Sequence, residues 1–156
     1  MQKPHSVTNA ALLWTTAVVA GVIEALFVVS EMNRDGGIDS GTWTALAVRG
    51  GIYLAVMVLI LIFASGRRWA RWALAGLLSV VGLASLVVEP ARLLMDGTPF
   101  IEAFGGDGDL MMGIFVARMS HIAAVLLATA VMFSPSANAY FRKPALKDAA
   151  PEPVGA

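Results

Sequence analysis

The stretch Gly66-Arg67-Arg68-Trp69-Ala70-Arg71 is a short basic segment between two long apolar runs. Three of its six residues are arginines. Lys and Arg beside membrane-spanning helices are retained on the cytoplasmic side, so this segment is predicted to be an inner loop. The directions of the spans on either side then follow from it.

The composition of the 156-residue chain is typical of a membrane protein. Hydrophobic residues make up 58% and charged residues 14%, and the mean hydropathy is +0.74. A soluble domain of this size cannot bury so much apolar surface, and the lipid bilayer is therefore the predicted partner. The 11 basic and 11 acidic residues balance, and no basic patch supports a nucleic-acid partner.

Four apolar runs are each long enough to cross a bilayer, which takes roughly 20 residues of helix. The predicted spans cover about residues 9–30, 42–65, 69–89 and 110–133. The third span is predicted to end at Glu89-Pro90, because proline disfavours a helical conformation in the residue before it. The prediction is an all-α, four-helix transmembrane bundle of up-down-up-down topology within a membrane domain of residues 1–143.

The charges of the chain are segregated between the predicted sides of the membrane. Basic residues flank the segments predicted to be inner, and acidic residues collect in two predicted outer loops, at residues 31–41 and 91–109. This bias places both termini in the cytoplasm. Residues 144–156 are rich in Ala and Pro and are predicted to be a disordered cytoplasmic tail. The basic set is Lys3, Arg67, Arg68, Arg71, Arg142, Lys143 and Lys147, and the acidic set is Glu31, Asp35, Asp39, Asp96, Glu102, Asp107 and Asp109.

A cleavable signal peptide is the alternative interpretation of the first apolar run. The run is longer than a usual signal core, Glu24 interrupts it, and no clear small-x-small cleavage site follows. These features favour a retained first span.

The residues that usually hold cofactors or perform catalysis are scarce. There is no cysteine, which excludes thiol catalysis and thiolate metal sites. His5 and His121 are the only histidines, and only His121 lies in a predicted span, which disfavours a haem held by paired histidines. No serine, histidine and acid set is apparent, and the sequence therefore predicts no catalytic residue, no metal site, no cofactor and no enzyme.

The basic segment at residues 66–71 leads into a span rich in small residues, and the last predicted span is followed by Ser134-Pro135-Ser136-Ala137-Asn138-Ala139-Tyr140-Phe141-Arg142. With these two patches and its hydropathy, the chain resembles small four-span integral membrane proteins common in actinobacteria, most of them uncharacterised. The resemblance implies four spans and a plasma-membrane location. It implies no activity.

Five ionisable residues in or at the rim of the predicted spans form a candidate intramembrane charge network. Ionisable groups are costly inside a bilayer and are usually paired there. With a rise of about 1.5 Å per residue, the charges fall at one depth in the outer half of the membrane. Two acids and two bases at one depth favour mutual pairing, of Glu24 with Arg49 and of Arg118 with Glu24 or Glu89. The network consists of Glu24, Arg49, Glu89, Arg118 and His121.

Two interpretations of this network remain. A satisfied structural network would fix how the helices pack, and it is favoured because the opposite charges are equal in number. Alternatively, the charges line an outward-facing polar pocket in which Glu24 or His121 carries a proton. The leading function is a non-catalytic structural or accessory module that associates with itself or with a membrane complex through its small-residue helix faces, the loop of residues 91–109, or its tail. The alternative is a small ion- or proton-coupled transporter or channel.

Overall fold

The computed structural model describes residues 4–34 and 36–142. Within these ranges the chain is helical and contains no strand. The helices are α1 (His5–Arg34), α2 (Ser40–Ala64), α3 (Arg68–Met95), α4 (Phe100–Gly105), α5 (Met111–Met132) and α6 (Pro135–Arg142). Four of them, α1, α2, α3 and α5, are long and apolar enough to cross a membrane. The predicted all-α class, with four helices long and apolar enough to span a membrane, is confirmed for the described residues. The predicted tail lies outside them.

The connections that precede and follow α2 are short and use residues suited to tight turns. Gly66, which follows α2, has a φ of +92°, a conformation that glycine adopts without steric cost. The Asp39 side chain accepts a hydrogen bond of 2.7 Å from the Thr42 N–H and caps the start of α2. This bond holds the pKa of Asp39 below its ordinary value, because the ionised carboxylate is the better acceptor.

Helix α3 passes through Glu89-Pro90, where the sequence predicted the third span to end, and continues to Met95. That predicted end is wrong for the helix. Pro90 cannot donate to the carbonyl of Leu86, yet both residues are buried. Neighbouring helices allow spanning helices to tolerate a proline, and the packing of this turn outweighs the local preference.

The middle of α3, Ala75–Gly82, is a π-helix. A π-helix has a wider turn than an α-helix and often occurs at functional sites. The hydroxyl group of Ser79, in the π-helix, lies 2.6 Å from that of Thr129 on α5 and links the two helices.

Helices α1 and α5 pack along most of their length and run in opposite directions. Near the start of α1, Ser6 accepts a hydrogen bond of 3.0 Å from Ser136, which lies just beyond α5. Near the end of α1, Glu31 accepts a hydrogen bond of 3.1 Å from the Leu110 N–H, just before α5 begins. This pair forms the centre of the bundle, against which α2 and α3 pack.

The same contacts divide the bundle into two ends. We call the end where the α2–α3 connection meets α6 the basic end, and the end where α1 meets the start of α5 the acidic end. The fully buried Trp14, Phe63, Leu74 and Met132 belong to the main apolar core, toward the basic end. The basic end carries Arg67, Arg68, Arg71 and Arg142, and the acidic end carries Glu31, Asp39, Asp96, Glu102, Asp107 and Asp109.

Helix α2 is packed only in its second half. Its buried residues are Val56, Ile60 and Phe63, and no residue from Ser40 to Tyr53 is buried. A cavity of about 540 Å³ separates the first half of α2 from the last turns of α1. The bundle is therefore closed at the basic end and open along one side toward the acidic end.

Candidate functional site

A buried ion pair joins the two central helices. Arg118 on α5 donates two hydrogen bonds to Oε1 of Glu24 on α1, from Nε at 2.9 Å and from Nη2 at 2.8 Å. The Glu24 side chain is 4% exposed and that of Arg118 is 21% exposed. Charged groups this far from solvent are stable only beside a group of opposite charge, and Glu24 and Arg118 neutralise each other.

Small residues let the helices approach at this level. Three of the four buried residues on α1 in the two turns before Glu24 are small, namely Ala17, Ala20 and Gly21, and Ala117 is buried beside Arg118 on α5. Such residues permit close backbone contact between helices in lipid. Because the backbones are close, the long Arg118 side chain folds along the interface and reaches the carboxylate of the facing helix.

A tyrosine and a histidine complete the polar layer. A Cβ added at Gly21 would lie 2.8 Å from the Tyr53 hydroxyl oxygen and 2.9 Å from His121 Cε1. The Tyr53 and His121 side chains therefore meet at Gly21, where α1 has no side chain, one turn from Glu24. The Nδ1 atom of His121 is buried without a hydrogen-bond partner among the described residues.

Two cavities flank the ion pair. One, of about 240 Å³, is lined by Glu24, Arg49, Tyr53 and His121 together with apolar residues of α1, α2 and α3. The other, of about 300 Å³, is lined by Arg118, Glu89 and Glu102. Ser85 lines both. The carboxylate thus faces one space and the guanidinium the other, and both hydrogen bonds end on a single carboxylate oxygen, which leaves capacity for a further donor.

The other two predicted network residues line the two cavities but form no ion pair with Glu24 or Arg118. Arg49 is exposed on α2, and no carboxylate of the described residues lies within 4 Å of it. The predicted pairing of Glu24 with Arg49 is therefore not found, because the first half of α2 stands away from α1. Glu89 is 3.7 Å from Arg92 on its own helix, with both side chains about 70% exposed. The structure pairs Arg118 with the first of its two predicted partners, Glu24.

Three features of the site were missed from the sequence. Tyr53 lies one helical turn after Arg49, a spacing that could have placed it on the same side of α2. Glu102 was assigned to an outer loop, whereas it belongs to α4 and lines a cavity with Arg118. No sequence signal pointed to the π-helix, since its residues are ordinary small and apolar ones.

The chemistry available in this layer is that of a proton-accepting carboxylate, an imidazole and a phenol beside a fixed guanidinium. Among the described residues, no three or more His, Asp or Glu side chains are grouped to hold a metal ion. No protein-family model matches the chain, and neither a curated protein nor a solved structure is similar to it. Conclusions about function therefore rest on the geometry of the site and of the helix surfaces.

Proposed function

We propose that this multi-pass membrane protein is a non-catalytic module of the plasma membrane, which associates with itself or with a larger membrane complex through the first half of α2. The observation that carries the proposal is the exposed and unpaired position of Arg49 on this helix. An arginine near the centre of a span costs about 3 kcal/mol on insertion scales, and a carboxylate on a partner helix would offset that cost.

The surface around Arg49 suits close helix contact. Ala45 lies one helical turn before Arg49 on the same side of α2, and it is exposed. The residue after Arg49, Gly50, has nothing within 4 Å of its Cβ position. A partner helix could therefore approach this side of α2 to backbone contact.

The groove between α1 and α2 adds to this surface. It is lined almost entirely by apolar side chains, with Arg49 at its edge. A partner helix could place apolar side chains in the groove while its carboxylate meets Arg49. One surface would then provide both packing and charge recognition, the two means by which helices associate in lipid.

The proposed topology is up-down-up-down with both termini in the cytoplasm, so that the basic end is the inner end. The resemblance to small actinobacterial four-span proteins supports the same arrangement. Alkaline phosphatase fused after Asp107 should be active and the same enzyme fused after Ala156 inactive. The reverse pattern would overturn the orientation.

Cysteine cross-linking tests the α2 surface directly, because the chain has no cysteine of its own. In native membranes, Ala45→Cys should give a disulfide-linked dimer or a cross-link to a co-purifying protein, whereas Val80→Cys, exposed on α3, should give neither. Adding Arg49→Gln to Ala45→Cys should greatly reduce the product. Equal cross-linking from Val80→Cys, or none from either variant together with purification as a lone monomer, would contradict the proposal.

A small ion- or proton-coupled carrier is the second candidate, favoured by the position of the Glu24–Arg118 pair between two cavities. In that case Glu24 would exchange its partner for a proton or a cation, and His121 would relay protons beside it. Purified protein in liposomes would then move protons or a monovalent cation, and Glu24→Gln would abolish the flux. Absence of flux from protein that cross-links through Ala45→Cys would leave the module as the function.

A further inference from the structure

A separate pocket lies at the basic end, between the start of α3 and helix α6. It has a volume of about 360 Å³ and is lined by arginines and aromatic rings. It is remote from the Glu24–Arg118 pair and shares no residue with the cavities around that pair. Its lining includes Arg68, Arg71, Trp72, Phe133, Asn138 and Arg142.

Arg71 is the pocket residue whose side chain is held most firmly by its neighbours. The residue is only 8% exposed, and its Nε is buried without a hydrogen-bond partner among the described residues. Its guanidinium carbon lies 4.2 Å from the centroid of the Phe133 ring and 5.4 Å from that of Phe141. Stacking on aromatic faces holds a planar guanidinium in place without neutralising it.

Asn138 fixes the orientation of this arginine. Its Nδ2 donates a hydrogen bond of 2.9 Å to the carbonyl oxygen of Phe133, which turns its Oδ1 toward Arg71. That Oδ1 accepts a hydrogen bond from Nη2 of Arg71. The amide thus positions the guanidinium and leaves its positive charge uncompensated.

Two further arginines converge on the same space. Arg68 donates from Nε to the carbonyl oxygen of Phe141, and Arg142 lines the pocket from the end of α6. No carboxylate of the described residues lies within 4 Å of Arg68, Arg71 or Arg142. Three guanidinium groups around one cavity form a site for a phosphate group, whose oxygens accept paired hydrogen bonds from such donors.

The level of the pocket indicates the source of the phosphate. Trp69 and Trp72 at the start of α3 are 54% and 68% exposed, as expected for indole rings at the boundary between lipid and water. A basic pocket between helices at that boundary meets lipid headgroups first, and its aromatic wall suits the glycerol and upper acyl carbons. We infer that this pocket binds the phosphodiester headgroup of an anionic phospholipid.

The test titrates phosphatidylglycerol or phosphatidylcholine against the protein in mild detergent and measures bound lipid by native mass spectrometry. The expected result is preferential binding of phosphatidylglycerol. Because each arginine near a lipid phosphate adds about fivefold in affinity, Arg68→Gln combined with Arg142→Gln should weaken binding about 25-fold. Both residues are exposed on helix surfaces, so this variant is expected to fold.

Arg67→Gln is the matched control, since Arg67 is also exposed and adjacent to Arg68 but does not line the pocket. Its affinity for phosphatidylglycerol should equal that of the unchanged protein. Arg71→Lys keeps the charge but loses the planar stacking, and it should weaken binding without abolishing the thermal transition. Equal weakening by Arg67→Gln would reduce the effect to general surface charge and overturn the site. Displacement of the lipid by an equal concentration of inorganic phosphate would assign the pocket to free phosphate and overturn the lipid assignment.

Discussion

The basic and acidic ends of this bundle contain the same long helices and are stabilised in different ways. At the basic end, side chains from α1, α2, α3, α5 and α6 form one apolar core around Trp14, Phe63 and Leu74. Toward the acidic end that core does not continue: the Glu24–Arg118 ion pair is buried near a few separate apolar residues such as Ile114, cavities lie on both sides of the pair, and α2 stands apart. The difference shows that the fold is maintained mainly from one end.

This division leaves the other end available for binding. Regions with few buried apolar contacts open more readily than a packed core, and binding sites are commonly drawn from them. The groups at the open end are those that both functional proposals use, namely Arg49 on the surface and Glu24 within. Mutations at the two ends should therefore have separable effects on stability and on association.

The largest effect is expected at the basic end. Trp14 is fully buried, and Trp14→Ala should lower the free energy of unfolding by about 3–5 kcal/mol, because it removes a large side chain and leaves a cavity. Leu12 on the same helix is 61% exposed, and Leu12→Ala should cost less than about 1 kcal/mol. Denaturation of both variants in one detergent measures the contrast. Similar losses would mean that the basic end is not the stabilising core.

The buried ion pair should come second. Glu24→Gln should cost about 2–4 kcal/mol, somewhat below the range for fully buried pairs because Arg118 is partly exposed. Arg118→Gln should be less harmful when combined with Glu24→Gln than when made alone, since no unpaired charge then remains. A double-mutant cycle on thermal stability measures this coupling. The cycle of Glu24 with Arg49 is the control and should be additive, because the two do not pair.

Substitutions at two glycines compare the closed surface between α1 and its neighbours with the open surface of α2. Gly21→Ala should cost about 1–3 kcal/mol, because the added methyl group meets Tyr53 and His121. Gly50→Ala has open space around it and, in the isolated protein, should stabilise α2 by up to about 1 kcal/mol. In native membranes, the same Gly50→Ala change should weaken association if a partner contacts this surface. Stabilisation by both substitutions would show that the Tyr53–His121 layer is not closed against α1.

The smallest effect concerns the cap of α2 at the acidic end. The pKa of the Asp39 carboxyl group is lowered in the folded protein. Asp39 therefore stabilises the fold above its unfolded pKa of about 3.9, and this contribution is lost as pH falls through its folded pKa. The melting temperatures of the unchanged protein and of Asp39→Ala should therefore differ at pH 6 and converge below pH 4. A constant difference across this range would show that the capping bond contributes nothing that depends on ionisation.

The four spans and the separation of charge were predictable because they depend on chain-wide signals. Apolar run length marks a spanning helix wherever it packs, and the basic residues at 66–71 and 142 mark helix ends. The pairing within the membrane was less predictable. Depth in the membrane alone made Arg49 and Arg118 equal candidates for the ion pair with Glu24. Only the displacement of α2 from α1 decides that Arg118 is the partner. A sequence gives the depth of a charge far better than the side of the helix on which its partner stands.

The proline and the π-helix show a second limit of the sequence. The local conformational preference around Pro90 was expected to end the helix, yet packing against the neighbouring helices keeps Pro90 within α3. The π-helix at Ala75–Gly82 changes the side on which later residues emerge, and this change leaves no mark in composition. Tertiary packing decides both outcomes.

The π-helix also predicts how this chain tolerates insertions and deletions. Ala70, Leu74, Leu78, Leu86 and Pro90 are buried at intervals of four or eight residues, a spacing that drifts by about 40° per four residues on a regular α-helix. The wide turns between residues 75 and 82 offset that drift and keep the buried side in register. Because these wide turns hold more residues than regular ones, removing one residue there would restore regular turns and rotate the rest of α3 little, whereas a deletion in the regular segment Leu83–Met95 would rotate the residues after it by about 100°. In a collection of variants with single-residue deletions, residues 75–82 should therefore be the most tolerant part of α3.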